Sequence, residues 1–460
     1  MDTPHRPLTN FPPGSLRELF AIAWPMILSS AAGCLMIVSD RLILARYSLE
    51  TFSANIACTP CYWAICDIVM SIISIAGVLV GRYNGARQYV HIGPVVWQMF
   101  WFSILLWIPI YFILIPLLPH FLAENVRELG SVYLRILFYF LPVLCAGFGA
   151  IGSFFVGRGR TKIVLVVTLI SIVINFVANV ILIFGWGPIP SLGIAGSALG
   201  TGIAQSISFC LFLFLFLKKQ YRQIYQTGNA SLRWELWGQC FCIGSPNALT
   251  RLINSFLWAW MMQLCVQYAS HEEFLLYGMA MTVYVAFFFL IEGTGTGVTT
   301  VDSNAIGARQ WDVIARNTRS WVLLSFIFCS LLSIFMVFYP EPIFHLFAID
   351  LQSGNLRSLI HEFFGWAWLL FFAEFFHFNF YSMITAFGDT IFRMISAPIC
   401  YGLLVALPVY HTLRYGSHRA LAFIQYSLLN EVTMSVLFFF RYRWLLKNAH
   451  HSPSRLKGLT

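Results

Sequence analysis

The chain has 460 residues, of which 59% are hydrophobic and 10% are charged, and its net charge is +9. Because an ordinary soluble domain carries about 25% charged residues, this composition excludes a soluble globular protein and favours lipid as the solvent. The basic residues lie in short clusters between apolar runs, which argues against a nucleic-acid partner. The 11 cysteines are odd in number and lie mostly inside apolar runs, which argues against a disulfide scaffold or a metal site.

Taken in chain order, the sequence opens on a polar, proline-containing segment followed by an apolar run with no cleavage site, which predicts a retained spanning helix. A span needs about 20 mostly apolar residues, and twelve segments meet this requirement. Backbone polar groups in lipid have to be satisfied within each segment, so the segments are predicted to be helices. The predicted spans are 18–44, 53–81, 94–119, 131–156, 162–185, 192–217, 237–262, 273–303, 317–340, 360–386, 391–411 and 421–441.

The loops are short except 218–236 and 341–359, and the first of these divides the spans into two sets of six. Twenty of the 28 lysines and arginines fall on the side that holds both termini, and five fall on the opposite side. This asymmetry predicts that both termini are cytoplasmic. The predicted organisation is a cytoplasmic N-terminal segment 1–17, a six-helix bundle 18–217, a cytoplasmic linker 218–236, a second six-helix bundle 237–441 and a basic tail 442–460.

One tetrapeptide, GARQ, occurs twice, at Gly85–Gln88 and at Gly307–Gln310, 222 residues apart. A single match of this length is expected by chance, so the repeat counts only if other features share its offset. Two further pairs do so: Pro25 with Pro246, 221 residues apart, and Gly159–Thr161 with Gly388–Thr390, 229 residues apart. Each half has an even number of spans, so the halves form a parallel repeat about an axis along the membrane normal, as in many secondary transporters.

These landmarks, together with the run from Gly157 to Gln205, resemble the MATE (multidrug and toxic compound extrusion) transporters of the MOP flippase superfamily. The resemblance covers nearly the whole chain. It implies an all-α integral membrane protein with 12 transmembrane helices, in two six-helix bundles that form a V-shaped central cavity. It also implies a monomer of the bacterial inner membrane that exports lipophilic organic cations by alternating access in exchange for H⁺ or Na⁺, with no cofactor.

Two other functions stay open. A lipid-linked oligosaccharide flippase of the same superfamily would favour an arginine-rich cavity, whereas the intramembrane charges of this chain are mostly acidic. A membrane-embedded enzyme that uses Glu374 and His377 lacks the clustered histidines of a metal site. Seven ionisable residues within the predicted spans require an explanation, because a charged side chain costs roughly 3 kcal/mol at mid-bilayer. They are Asp40, Asp67, Arg251, Glu292, Glu374, His377 and Glu431.

In the first half, the fifth span carries Thr168, Ser171, Asn175 and Asn179 at helical spacing, so that they share one face. This stripe predicts either a wet cavity wall or hydrogen bonds between helices. The family resemblance implies a cation or proton site formed by an acidic residue on helix 1 with an Asn and an Asp on helix 5. Asp40 and Asn175 match this pattern, but Asn179 replaces the second carboxylate and offers only a carbonyl ligand to Na⁺.

In the second half, the tenth span carries a similar stripe, Glu374, His377, Tyr381 and Thr385. The resemblance aligns Glu374 with a coupling carboxylate, and His377 is expected either to share its proton or to be structural. Asn254 stands where many family members carry a glutamate. The residues expected to line the substrate cavity are Glu292, Tyr381, Thr168, Ser171, Asn254 and Arg251, with Arg251 as the candidate partner of Glu292.

Pro25 removes a hydrogen bond from the first span and permits a kink. We expect bending at Pro25, and at its repeat equivalent Pro246, to link ion occupancy to cavity shape. The Gly196 and Gly200 pair in the sixth span predicts close helix packing. Aromatic residues make up 17% of the chain, and those that face the cavity would attract organic cations through their ring faces.

Overall fold

The computed structural model describes residues 8–122, 124–269, 271–338, 354–415 and 420–451, and these residues are almost entirely helical. They form twelve long helical spans, each of which overlaps one predicted segment. The spans are α1 Leu16–Tyr47, α2 Leu49–Gly85, α3 Tyr89–His120, α4 Arg127–Gly157, α5 Thr161–Phe184, α6 Gly193–Phe216, α7 Trp234–Tyr268, α8 His271–Gly307, α9 Trp311–Phe338, α10 Gly354–Ala386, α11 Thr390–Tyr415 and α12 Leu421–His451. The predicted all-α fold class is confirmed.

Eleven of these spans, counted over the described part of the chain, are long and apolar enough to cross a membrane. The remaining one, α7, has 35 residues but is more polar, because Asn247, Arg251 and Asn254 interrupt its apolar sequence. A long helix with polar side chains along it needs polar neighbours inside the bundle. The predicted span 237–262 is helical throughout. It differs from the other eleven spans in its lower hydropathy.

Several helices extend beyond their predicted ends. α1 begins at Leu16, inside the predicted N-terminal segment, and α12 continues to His451, inside the predicted tail 442–460. The predicted linker 218–236 contains a short helix, Lys219–Tyr225. Apolar runs underestimate helix length because polar residues continue a helix beyond the hydrocarbon region. Residues 1–7, 452–460 and the predicted end of the ninth span at residue 340 lie outside the described residues.

The described chain divides into two compact units. The first contains Trp24–Ala248 and Ser303–Gln310, and the second contains Asn10–Ala23, Leu249–Asp302 and the described residues from Trp311 onward. Inside helices, the chain therefore passes from one unit to the other at three places: within α1 beside Pro25, within α7 shortly after Pro246, and within α8 between Asp302 and Ser303. The predicted bundles 18–217 and 237–441 are contiguous segments, and the compact units are not.

Each unit has its own apolar core. In the first unit, buried side chains of α2, α3, α4 and α6 pack together, among them Phe138, Leu141 and Phe154. In the second unit, Phe363 and Phe371 of α10 pack against α8 and α12. Because lipid tails are as apolar as these side chains, such cores are stabilised mainly by close packing and not by transfer out of water.

The repeated tetrapeptide ends a helix in both halves. Its arginine has a left-handed backbone conformation in each copy, with φ of 59° at Arg87 and 57° at Arg309. Two backbone hydrogen bonds of the Schellman type close each turn: Gln88 to Tyr83 at 2.9 Å and Arg87 to Asn84 at 3.3 Å, and Gln310 to Ala305 at 2.9 Å and Arg309 to Ile306 at 3.1 Å. The second landmark behaves in the same way, with φ of 68° at Gly159 and 71° at Gly388. The sequence repeat is therefore a repeat of local structure.

The predicted linker is bound along the first unit by side chains of α3. These contacts are hydrogen bonds to linker backbone atoms: Trp97 Nε1 to the Thr227 carbonyl at 2.8 Å, Trp101 Nε1 to the Ala230 carbonyl at 2.9 Å and Gln98 Nε2 to the Ser231 carbonyl at 3.1 Å. The short linker helix also places the Tyr225 ring 4.0 Å from the Arg158 guanidinium, which donates to the Tyr225 hydroxyl at 2.9 Å. Burial lowers the pKa of Arg158 from its ordinary value. The Tyr225 ring therefore stabilises a guanidinium charge that is largely removed from water.

Candidate functional site

The first polar cluster lies in the first unit, where α1, α5 and α6 meet. Asn179 Nδ2 donates to Asp40 Oδ1 at 2.5 Å and to Asn175 Oδ1 at 3.4 Å, and Asn175 Nδ2 donates to Thr201 Oγ1 at 3.1 Å. All four side chains are buried. The structure thus brings Asp40, Asn175 and Asn179 together with Thr201 from α6.

This cluster is rich in oxygen atoms. Asp40 and Thr201 line a small cavity of about 30 Å³ that Asn55, Tyr133 and other side chains of α2, α4 and α6 complete. A cavity of this size holds one or two water-sized occupants. Asn179 Oδ1 is buried and accepts no hydrogen bond from the described residues. Hard cations prefer carboxylate, amide and hydroxyl oxygens, so the donor set fits a small cation.

The other two members of the α5 stripe are engaged with backbone atoms. Thr168 Oγ1 donates to the Val164 carbonyl at 2.9 Å, and Ser171 Oγ donates to the Ala204 carbonyl of α6 at 3.5 Å. Both residues are buried between helices, as the packing alternative expects. Their predicted role in the substrate cavity stays a prediction.

Close approach of α5 and α6 depends on the glycine pair predicted from the sequence. A Cβ added at Gly196 would lie 2.5 Å from the Leu182 carbonyl oxygen, and one added at Gly200 would lie 2.1 Å from Asn179 Oδ1. Gly200 therefore provides the space in which the Asn179 amide lies, so packing and site geometry depend on the same residue.

The second polar cluster lies in the second unit, among α8, α10 and α12. The Tyr284 hydroxyl of α8 donates to Glu374 Oε2, and His377 Nδ1 pairs with Glu431 Oε2. Asn430 Nδ2 donates to Glu431 Oε1 at 2.9 Å. His377 and Glu431 are largely buried, with side-chain exposures of 17% and 13%. Glu374 and His377, one turn apart on α10, thus have separate partners on α8 and α12.

A third set of polar residues surrounds Tyr381. The Arg393 guanidinium lies 3.6 Å from the Tyr381 ring centroid, a cation–π contact, and Arg251 lies within electrostatic range of both. Asn254 Oδ1 is buried and accepts no hydrogen bond from the described residues. The Glu292 side chain is exposed, and its pairing with Arg251 stays a prediction.

Both predicted hinge prolines are buried inside helices that continue through them, Pro25 in α1 and Pro246 in α7. Sequence reasoning missed Tyr284 and Thr201, because a tyrosine in an aromatic run and a threonine in a small-residue helix carry no distinctive pattern. It named Glu431 as an intramembrane charge without assigning a partner, and the structure places Glu431 against His377. It also missed Arg393, whose guanidinium lies over the Tyr381 ring.

A family model for MatE matches the chain twice, over residues 25–181 and 246–410. The two matches begin at Pro25 and Pro246, so they agree with the internal repeat. Among curated relatives, the probable multidrug resistance protein YoeA of Bacillus subtilis (strain 168) is 24% identical over 81% of this chain and 82% of its own length. The probable multidrug resistance protein NorM of Mesorhizobium japonicum is 24% identical over 75% of each chain.

Solved structures show the same fold at low identity. A crystal structure of MATE in the straight conformation matches with a TM-score of 0.83 and 15% identity, over 96% of this chain and 98% of the other. An outward-facing multidrug resistance MATE family transporter of the MOP superfamily matches with a TM-score of 0.82 and 16% identity, over 95% and 96%. With the family model covering more than half of its residues, the chain belongs to the MatE family of membrane transporters.

Proposed function

We propose that this protein is a secondary active antiporter that exports lipophilic organic cations in exchange for protons, with Glu374 as the residue that carries the proton. The observation that supports this proposal most strongly is the position of Glu374: a carboxylate of α10 that accepts a hydrogen bond from Tyr284 next to the apolar core of the second unit. The relatives named multidrug resistance proteins agree with this substrate class.

The coupling follows from electrostatics. An ionised carboxylate inside an apolar bundle requires a compensating positive charge, which either a proton or an organic cation supplies. The two therefore compete for Glu374, so that proton uptake from one side releases the cation. The His377 and Glu431 pair, one helical turn from Glu374, provides a neighbouring acid and base through which the proton is transferred.

A second coupling ion is favoured by one specific observation. Asp40, Asn175, Asn179 and Thr201 form a buried set of oxygen ligands beside a cavity of about 30 Å³, and Asn179 Oδ1 has no hydrogen-bond donor among the described residues. We propose that this cluster binds Na⁺, with Asp40 as the charged ligand. With a single carboxylate, the site has less negative charge than a two-carboxylate site would have, and so it needs the neutral oxygens to complete the shell.

The remaining expectations belong to the same proposal. We also propose that the protein is a monomer of the bacterial inner membrane. Both termini are placed in the cytoplasm because the basic residues concentrate on one side. A lipid-linked oligosaccharide flippase is not favoured, since the relatives are named for multidrug resistance. We propose in addition a V-shaped cavity lined by the substrate-cavity residues named above, with hinges at Pro25 and Pro246.

The proposal is tested by efflux of a fluorescent organic cation from proteoliposomes under an imposed pH gradient or an imposed Na⁺ gradient. The variants are Glu374→Gln and Asp40→Asn, with Glu128→Gln as a control, since Glu128 is an exposed carboxylate outside both clusters. We expect the pH gradient to drive efflux in wild type and Glu128→Gln but not in Glu374→Gln. Efflux driven only by Na⁺ and lost only in Asp40→Asn would assign coupling to the first cluster instead. No efflux under either gradient would contradict the antiporter proposal.

A further inference from the structure

The two copies of the repeated tetrapeptide meet at a helix crossing inside the first unit. There the end of α2 and the end of α8 approach with their backbones in contact, because glycines occupy the crossing. A Cβ added at Gly85 would lie 1.9 Å from the Asn304 carbonyl oxygen, and one added at Gly307 would lie 2.0 Å from the Arg82 carbonyl oxygen. Neither position has room for any side chain.

The crossing is symmetric in the internal repeat. Arg82 and Asn304 are 222 residues apart, as are Gly85 and Gly307. Gly85 therefore contacts the repeat equivalent of the residue that Gly307 contacts, which is the signature of a two-fold, self-complementary interface. At its centre, Gly81 faces its own equivalent: a Cβ there would lie 2.2 Å from Ser303 Oγ.

Polar contacts complete the crossing. Asn84 Nδ2 donates to Asn304 Oδ1 at 2.7 Å, and Asn304 Nδ2 donates to the Gly157 carbonyl at 2.8 Å. Asn304 is 6% exposed, and both Oδ1 and Nδ2 of its side-chain amide form hydrogen bonds here. Hydrogen bonds between spanning helices contribute little net free energy, about 0.6 kcal/mol each, so these two bonds add little to the cost of separating the helices.

The two helices reach the crossing differently. α2 has a short turn at Ser74 and Ile75, and Ala76–Gly85 forms its last ten residues. α8 continues from the crossing as one helix whose residues before Ser303 belong to the second unit. A displacement of α8 is therefore transmitted directly to Ser303–Gly307.

We propose that this glycine crossing is a latch that closes and opens once in each transport cycle. The repeated glycine of the tetrapeptide is required because only a residue without a side chain permits the closed contact. The latch depends on transport as such and not on the identity of the coupling ion or of the substrate.

The first test is a disulfide between Asn84→Cys and Asn304→Cys, in a chain whose exposed cysteines, Cys34, Cys61, Cys210 and Cys242, are replaced by serine. Oxidation is expected to cross-link the pair and to lower transport of a fluorescent organic cation by about tenfold or more, and reductant is expected to restore it. The control pair, Gln98→Cys with Ser231→Cys, joins α3 to the linker in the same unit and is expected to leave transport unchanged. Full transport by the cross-linked Asn84→Cys and Asn304→Cys chain would overturn the latch.

The second test needs no transport. In Gly307→Ala the latch is forced open, so the rate at which a maleimide labels Asn84→Cys is expected to rise about tenfold. Gly278→Ala is the matched control, because a Cβ at Gly278 meets nothing within 4 Å. Equal labelling rates in the two folded variants, judged by size-exclusion elution, would overturn the proposal. A change in labelling without transport of the fluorescent organic cation would support the closed glycine contact and contradict the proposed substrate class alone.

Discussion

At the scale of single residues, the two polar clusters differ in chemistry although they lie in repeated halves. The first has one carboxylate, Asp40, surrounded by amides and a hydroxyl. The second has Glu374 with a phenol and Glu431 with an imidazole. The first is suited to ligate a cation, and the second is suited to hold and transfer a proton. The repeat therefore has not kept its two sites equivalent.

Thr201→Val removes one hydroxyl from the first cluster without changing side-chain volume much. Because the lost oxygen hydrogen-bonds to Asn175 and completes the proposed ligand set, we expect Na⁺ affinity to fall by about tenfold, which corresponds to ~1.4 kcal/mol. Thr201→Ser keeps the hydroxyl and is expected to retain most of the affinity. The measurement is the Na⁺-dependent rise in thermal unfolding temperature in detergent, which reports binding to the folded state. An unchanged Na⁺ response in Thr201→Val would show that this oxygen is not a ligand.

Tyr284→Phe removes the donor to Glu374 and leaves a buried carboxylate with one hydrogen bond fewer. Loss of a buried partner costs about 1–3 kcal/mol, so we expect pH-driven efflux to fall by about tenfold or more. Tyr442→Phe is the control, since Tyr442 bonds to Thr318 at 3.0 Å away from the cluster. Equal efflux in both variants would contradict a role of Tyr284 in proton coupling.

Helical spacing predicted which residues share a face, but it did not predict what that face meets. It grouped Thr168 and Ser171 with Asn175 and Asn179, whereas the structure engages only the last two with Asp40. The partner of each residue depends on the packing of neighbouring helices, and that information is spread over residues distant in sequence. Tyr284 illustrates this limit, because its role depends on its position against α10.

At the scale of elements, apolar run length predicted the existence of every helical span but not its ends. Hydropathy measures the part of a helix that lipid covers, and helices such as α12 continue into polar sequence. The turns left a clearer signal. The repeated tetrapeptide and the second landmark, Gly159–Thr161 with Gly388–Thr390, both lie at helix ends with a left-handed residue. Special backbone conformations leave a local sequence signal, whereas the last turn of a helix does not.

Gly388→Ala tests the second kind of turn. With φ of 71° at Gly388, a side chain there has to adopt the left-handed region at a cost of about 1–2 kcal/mol. We therefore expect a lower unfolding temperature in detergent. Gly365→Ala is the matched control within α10, where a Cβ meets nothing within 4 Å, and it is expected to be neutral or to stabilise by about 0.5–1 kcal/mol. Similar unfolding temperatures for both variants would contradict the strain argument.

At the scale of the whole molecule, the chain passes between its two compact units next to a proline in both α1 and α7. A proline lacks the amide proton that would bond to the preceding turn, so bending at that position breaks no additional hydrogen bond. The sequence paired the two prolines by their offset, and the division into units lies beside both. How the units are composed was not predictable, because it depends on which helix ends pack together.

Pro25→Ala restores a backbone N–H donor, so a bend in α1 at this position would break a hydrogen bond. We expect the variant to fold and to lose most of its efflux, about tenfold, because bending becomes costlier than in wild type. Pro60→Ala, in α2 of the same unit, is the control. Full efflux in Pro25→Ala would argue against a hinge at this position.

If a proton and an organic cation compete for Glu374, binding of the cation has to release the proton. A lipophilic cation such as tetraphenylphosphonium would be added to the purified protein in weakly buffered detergent while pH and binding are recorded together. By linkage, competition predicts release of about one proton per bound cation in wild type and none in Glu374→Gln. Binding without proton release in wild type, or the same release in Glu374→Gln, would contradict competition at Glu374.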